Sequence, residues 1–390
     1  MALTIDKLDD WIRHRFKELN TSLEEYYLGK ETLIVHDDTT RPLTDSLIGE
    51  GRELIAAILA NPDDIPAAYE RRFHLLGNVG MYMAACRRHE VDEPLENGYS
   101  PLAEASTIAS QLGSALGVAP RFMATHLQLY NRAEGGFYRT FTALDDERIF
   151  VDYNTLGLFA YAKAADALVR AMRLGVTHPI MAYLFRQAKD SLDEVLKFNQ
   201  LLDNDLDVKR FFYNVRPYYK PYRVGRRDFR GANAGDFAGV NEIDLLLGLC
   251  SRDDPVYLDV IIDKKAYMPY SEQERLQDAI AQTSFLDQFL AEMEENSKLE
   301  TYQENLAVFL EVCKAHGLAY AYHHDELVRK YIEDPSVHIP ETQKDRLTAS
   351  GPPLPVLLRA LERLRDLRMG ADRDDIPSRY RDLEKLRGIL

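Results

Sequence analysis

The stretch TLGLFAYAKAADALVRA, residues 155–171, decides the fold class. Its apolar side chains, Leu156, Leu158, Phe159, Ala162, Ala165 and Leu168, recur at the steps of an amphipathic helix. Toward the N-terminus, Leu8, Trp11, Ile12 and Phe16, and then Ile55, Ile58 and Leu59, repeat the pattern. Toward the C-terminus, segments 182–203, 272–295, 301–332 and 354–368 do the same, several opening on the Ser, Thr or Pro of a helix start. No strict alternation runs long enough to require a large sheet. The expected fold is all-α.

The chain has 390 residues, 46% hydrophobic and 28% charged, which is ample for a sizeable core. At roughly 150 residues per domain this length suggests two units. Lys and Arg number 48 against 63 Asp and Glu, a net charge of −15, which repels phosphate backbones and anionic lipid. No nucleic-acid partner and no membrane association are expected. The amphipathic N-terminus lacks the apolar core of a signal peptide, and no 18-residue apolar run follows, so a cytoplasmic protein is expected. Cys86, Cys250 and Cys313 are widely spaced in apolar surroundings, as buried thiols are.

The helical pattern breaks at about 61–66, 92–101, 217–240 and 333–355. The turn residues of ENGYSPL, 96–102, mark an expected boundary between a small N-terminal helical domain, 1–100, and a large helical domain, 101–390. The last two breaks are too long for turns, and long loops in compact domains tend to carry function.

One of them lies within FFYNVRPYYKPYRVGRRDFRGANAGDFAGVNEIDLLLGL, Phe211 to Leu249, which interleaves five Arg and one Lys with four Tyr and four Phe. Such a mixture suits an anionic aromatic small molecule, because guanidinium binds carboxylate bidentately and rings stack on rings. It equally suits a surface loop whose arginines pair with the surplus carboxylates. Within it, Gly231, Ala232, Asn233, Ala234 and Gly235 precede a helix expected to start near Asn241. Small residues allow close backbone approach to a planar ligand, or simply make a turn.

The strongest metal signal is the helix carrying Phe309, Cys313, Tyr320, His323, His324, Leu327, Val328 and Tyr331. Steps of three and four put His324 on the apolar stripe, with His323 about 100° away. A neutral imidazole there suits an axial haem ligand or a core histidine bonded to a carbonyl. Gly317, on the same face, leaves room for a neighbouring helix or a flat macrocycle. Adjacent histidines do not chelate zinc from one helix. GxGxxG, GxSxG and HExxH are absent, and the clusters Asp203, Asp205, Asp207 and Glu292, Glu294, Glu295 read as solvated faces.

Three motifs in order, FFYNVRPYYKPYRVG (211–225), FRGANAGDFAG with DLLLGL (229–249) and YHHDELVRKYI (322–332), resemble the histidine-ligated haem-dependent aromatic oxygenase superfamily, which includes indoleamine and tryptophan 2,3-dioxygenases. RPYYKPYRVG and APRFMATHLQLYN (119–131) are more similar to its monodechloroaminopyrrolnitrin synthase branch. The resemblance spans about residues 115 to 370. It implies an indoleamine 2,3-dioxygenase-like helical bundle that uses O₂, or peroxide, on an aromatic amino acid or a related indole or phenol.

Carried over by position, the resemblance makes His324 the proximal iron ligand, with Lys330 and Tyr331 in register and His323 as the fallback. Arg216 falls on the arginine that anchors the substrate carboxylate, and Phe212 on the wall of the aromatic pocket. Ala232, Asn233 and Ala234 fall on the loop over the distal face, between Gly231 and Gly235 against the cofactor. His126 and Asn233 become the distal polar groups. The loop over the substrate ammonium is Gly/Thr-rich in dioxygenases and corresponds here to Ser350, Gly351, Pro352 and Pro353, with Thr348 displaced. Val328 stands where covalently attached members carry a cysteine, so haem b held non-covalently is expected. The alternatives are a haem-binding sensor or carrier without catalysis, and a haem-free helical interaction protein; a homo-oligomer contact through the N-terminal helices is a further expectation.

Overall fold

The computed structural model describes residues 3–30, 32–233, 235–337 and 353–390. Helices α1 (Thr4–Arg13), α2 (Arg15–Gly29), α3 (Arg41–Ala60), α4 (Tyr69–Arg88), α5 (Ala103–Leu116) and the short α6 (Ala124–Leu127) come first. Long α7 (Asp145–Ala171) and α8 (Met181–Asp205) pack along each other. A π-helical turn, Phe211–Val215, and a 3-10 turn, Arg216–Tyr219, follow the short α9 (Val208–Arg210). The sheet among the described residues is one antiparallel hairpin, β1 (Tyr222–Val224) on β2 (Arg227–Phe229). The rest is α10 (Ala238–Leu247), α11 (Pro255–Lys265), α12 (Tyr270–Ala281), α13 (Phe285–Asn296), α14 (Glu300–Tyr322), a π-helical continuation His323–Glu333, α15 (Asp334–Ser336), α16 (Leu354–Met369) and α17 (Tyr380–Arg387). The fold is all-α.

Two apolar clusters hold these helices. The first runs from Ile5 to Phe141 and takes in Leu202 to Ala232 together with Leu327 and Tyr331. The second runs from Ala164 through Ala238, Phe309 and Cys313 to Leu386. The chain passes from one to the other twice at places the sequence singled out: between Ala232 and Ala238, and along the helix between Ala315 and Leu327. The expected small-residue loop and the histidine-bearing turn therefore share a seam.

Several expectations shift in detail. On α7, Leu156 and Phe159 are 43% and 48% exposed, and the packed face is Leu158, Ala160, Ala164, Ala165, Ala167 and Leu168. Leu156 and Phe159 therefore fall outside the packed stripe, where small alanines let α8 and α10 approach closely. The segment 272–295 is two helices, because Ser284 Oγ accepts the Asp287 N–H at 3.2 Å and starts α13. Helix α10 begins at Ala238 rather than near Asn241. All three cysteines are free and buried, as expected.

Asp203 is not a solvated acid. It accepts from Tyr322 Oη at 2.9 Å and Lys330 Nζ at 2.7 Å, while its carbonyl accepts from Tyr331 Oη at 3.0 Å. The end of α8 thus clamps the histidine-bearing turn. Asp205 accepts from Tyr153 Oη at 2.6 Å, and Asp207 caps the Arg210 N–H at 2.8 Å.

A second anchor is fully buried. Asp244 on α10 receives Arg368 at 2.7 and 2.6 Å, His316 Nε2 at 2.7 Å and Tyr257 Oη at 2.8 Å. Burial alone would raise its pKa, but the guanidinium and the His316 bond outweigh burial and hold it far below the usual carboxylate value. The Arg368 guanidinium also lies 4.0 Å from the Tyr320 ring. Gly317 is where α14 meets α16: a Cβ there would sit 2.9 Å from the Arg368 carbonyl, so the gap serves a helix and not a macrocycle. Replacing Arg368 by Leu leaves the Asp244 charge buried without its counter-ion, at a cost of roughly 3–5 kcal/mol. Urea unfolding of Arg368→Leu reads this directly, and a loss below about 1 kcal/mol contradicts it.

Candidate functional site

Of the six cations in the basic and aromatic stretch, two are neutralised by carboxylates and a third is stacked on a ring. Arg223 bonds Asp228 at 2.8 and 2.6 Å, Arg230 bonds Asp236 twice at 2.8 Å, and Arg226 stacks 4.3 Å from the Tyr99 ring. For Arg223 and Arg230 the reading as ion-paired loop arginines holds. Arg216 differs. It is buried, and among the described residues no acceptor lies within hydrogen-bond reach of its guanidinium. Its neighbour is the Phe212 ring, 5.4 Å from the guanidinium carbon. Burial without a counter-ion pushes its pKa down to about 10.

Four residues on, Lys220 has the same character, and the sequence reading had not marked it. Burial first, then the charges of Arg88, Arg216 and Arg87, push it to about 7, against a weaker opposing pull from Glu90. Arg88 itself is satisfied by Glu24 at 2.7 and 2.8 Å, and Arg87 lies 3.5 Å from Asp92. Arg216 and Lys220 are therefore two neighbouring cations with no ion-pair partner among the described residues.

The histidine-bearing turn lies against this one: Phe211 and Tyr331 meet edge to face at 5.7 Å. On it, His324 Nδ1 bonds Asp325 Oδ1 at 2.9 Å, while its Nε2 is buried with no hydrogen-bond partner among the described residues. An ionised carboxylate only accepts, so Nδ1 carries the proton and the orphan Nε2 carries the lone pair. His323 stands 6.1 Å from the Tyr320 ring. Burial, with the nearby charges of His324 and Arg368, lowers its pKa to about 4, yet its surface is open. Among the described residues no three His, Cys, Asp or Glu converge on a bare metal ion.

The small-residue run is a stapled loop. Arg230 and Asp236 close its ends, Asn233 Oδ1 accepts the Gly235 N–H at 2.8 Å, and Asn233 O accepts the Asp236 N–H at 3.0 Å. A Cβ on Gly235 would lie 3.2 Å from Asn233 Oδ1, a tight contact with the side chain that bonds the Gly235 N–H. Gly231 and Ala232 are buried, Ala232 in the first apolar cluster. Asn233 thus shapes its own loop. Ala234, Ser350 and Gly351 lie outside the described residues.

His126 is corrected. Its Nδ1 accepts the Met123 N–H at 3.0 Å, its Nε2 donates to the Phe73 carbonyl at 2.9 Å, and its ring stacks 4.0 Å from Phe73. Burial lowers its pKa to about 3, and Gly77 supplies the space its ring occupies. With both nitrogens bonded to backbone, it holds the α4–α6 contact and has no atom for a substrate.

The sequence reading also passed over Asp325 and Arg365, which bonds Asp325 Oδ1 at 2.8 Å from α16. No motif joins residues 40 apart; the only available sign was an acid next to the candidate ligand. No helix among the described residues is long and apolar enough to cross a membrane.

The arginine turn and the histidine turn are thus in contact, in the order and spacing that the motifs carry. A family model for monodechloroaminopyrrolnitrin synthase PrnB matches residues 3–390, and the chain belongs to that family.

Proposed function

We propose that the chain is a haem-dependent oxygenase acting on a tryptophan-like aromatic amino acid, with haem b held non-covalently by His324. The observation that carries the reading is a pair of groups on touching turns that are unsatisfied among the described residues: a buried guanidinium without an anion at Arg216, and a buried imidazole nitrogen without a partner at His324. A buried charge and a buried polar atom both cost free energy unless a ligand satisfies them. A carboxylate fits the first. A metal that needs one protein ligand, as a macrocycle-bound iron does, fits the second, and Asp325 fixes the tautomer such a ligand requires.

Bound there, haem supplies the redox chemistry by which O₂ attacks an aromatic ring. The chain's own residues bind and orient. Arg216 takes the carboxylate bidentately, with Lys220 adding a second positive charge. Phe212, already against Arg216, keeps water from that ion pair and presents an apolar wall. Holding the ring in one pose relative to the metal lowers the barrier by removing orientational freedom. The small residues Gly231 and Ala232 present no bulky side chain to that ring. His323, neutral at physiological pH, adds no charge beside the cofactor.

Replacing His324 by Ala is expected to abolish haem retention through gel filtration, while His323→Ala retains it. The reverse pattern moves the ligand to His323, and retention in both variants contradicts the site.

Arg216→Leu is expected to keep the haem spectrum and to weaken L-tryptophan binding by about 2–3 kcal/mol, on the order of 30- to 150-fold. In the parent protein the same titration is expected to weaken as pH rises through about 7, because Lys220 then loses the charge that helps attract the carboxylate. Undiminished affinity in Arg216→Leu contradicts the anchor.

A further inference from the structure

We propose that Asp325, held by Arg365, is a positioning residue that tunes the haem ligand: its charge on His324 Nδ1 sets how strongly Nε2 donates to the iron, and hence how readily the iron accepts an electron. This rests on the reading of His324 as the ligand.

Side chains of consecutive residues on a helix point about 100° apart and do not ordinarily meet. Here they do, His324 Nδ1 to Asp325 Oδ1 at 2.9 Å, in the first turn of the π-helical segment. Wider turns of this kind recur at functional sites. The carboxylate is half exposed, with side-chain exposure of 46%, so it retains water and stays ionised, while the His324 side chain is 15% exposed. The contact thus carries a charge from the surface to a nitrogen on the inner side of the helix.

Arg365 keeps that charge in place and tempers it. Its Nη1 donates to the same Asp325 oxygen at 2.8 Å, and its Nε donates to Asp366 Oδ1 at 2.8 Å. Asp366 is in turn bonded by Arg373. The guanidinium is therefore fixed between Asp325 on the π-helical turn and Asp366 on α16, and it shares with His324 the one oxygen that matters. Glu362 stands 3.9 Å away at the outer edge. A carboxylate accepting the distal N–H of a metal-bound imidazole raises that ligand's basicity. A cation on the same oxygen draws part of the effect away.

The two partners then pull in opposite directions, which a merely structural pair would not do. The test uses the full chain loaded with haem and reads two quantities other than turnover: the iron–histidine stretching band of the ferrous protein by resonance Raman, and the midpoint potential by redox titration. Asp325→Asn is expected to lower the stretching frequency and raise the potential. Arg365→Leu is expected to raise the frequency and lower the potential, and Asp325→Glu to stay nearer the parent than Asp325→Asn does. Shifts of the same sign in Asp325→Asn and Arg365→Leu, or none in either, overturn the proposal. A band that survives in His324→Ala instead overturns the ligand reading beneath it, which separates the two failures.

Discussion

Asp244 is a carboxylate with no access to water, and the placement of the histidine helix depends on how it is satisfied. Arg368 reaches it from α16 and His316 from α14, so one buried oxygen pair ties three helices together. The same guanidinium lies on the Tyr320 ring, one turn before His323 and His324. Ion pairs removed from water contribute less to net stability than their geometry suggests, but they penalise every arrangement that separates the partners. Here that penalty fixes the register of α14 against α16, and with it the height at which the two histidines and Arg365 sit.

The other end of the turn is fixed by Asp203, through Tyr322, Lys330 and Tyr331. Between these anchors the backbone runs as a π-helix across the seam of the two apolar clusters. The turn just before Arg216, Phe211–Val215, is π-helical as well and meets it through Phe211 and Tyr331, with Arg216 opening the 3-10 turn that follows. Both irregular turns place polar side chains where neither cluster can satisfy them, which is how a packed helical protein leaves groups free for a ligand. The proposed chemistry grows from that: an anion for Arg216 and Lys220, and a metal for His324.

The helical class was legible because apolar spacing is a local property, and so were the motif turns. What the sequence could not show was pairing. Six cations in one stretch look alike until Asp228 and Asp236 are seen to neutralise Arg223 and Arg230, and burial is seen to set Arg216 and Lys220 apart from the rest. His126 lies in a motif that resembles the family's, yet it packs on Phe73 with both nitrogens bonded to backbone, a role settled by residues about fifty positions away. Asp203 read as a solvated acid because its partners are some 120 residues further on. Leu156 and Phe159 misled for a different reason: size suggests burial, whereas close helix packing selects alanine.

The most direct test of the account is the absorption spectrum of the haem-reconstituted protein, oxidised and reduced, with and without L-tryptophan and with an indole lacking the carboxylate. The account predicts a Soret band that shifts on addition of the amino acid and shifts less with the indole, because metal site and anion site act on one bound molecule. Absence of a Soret band after reconstitution, or a band indifferent to both compounds, would contradict it.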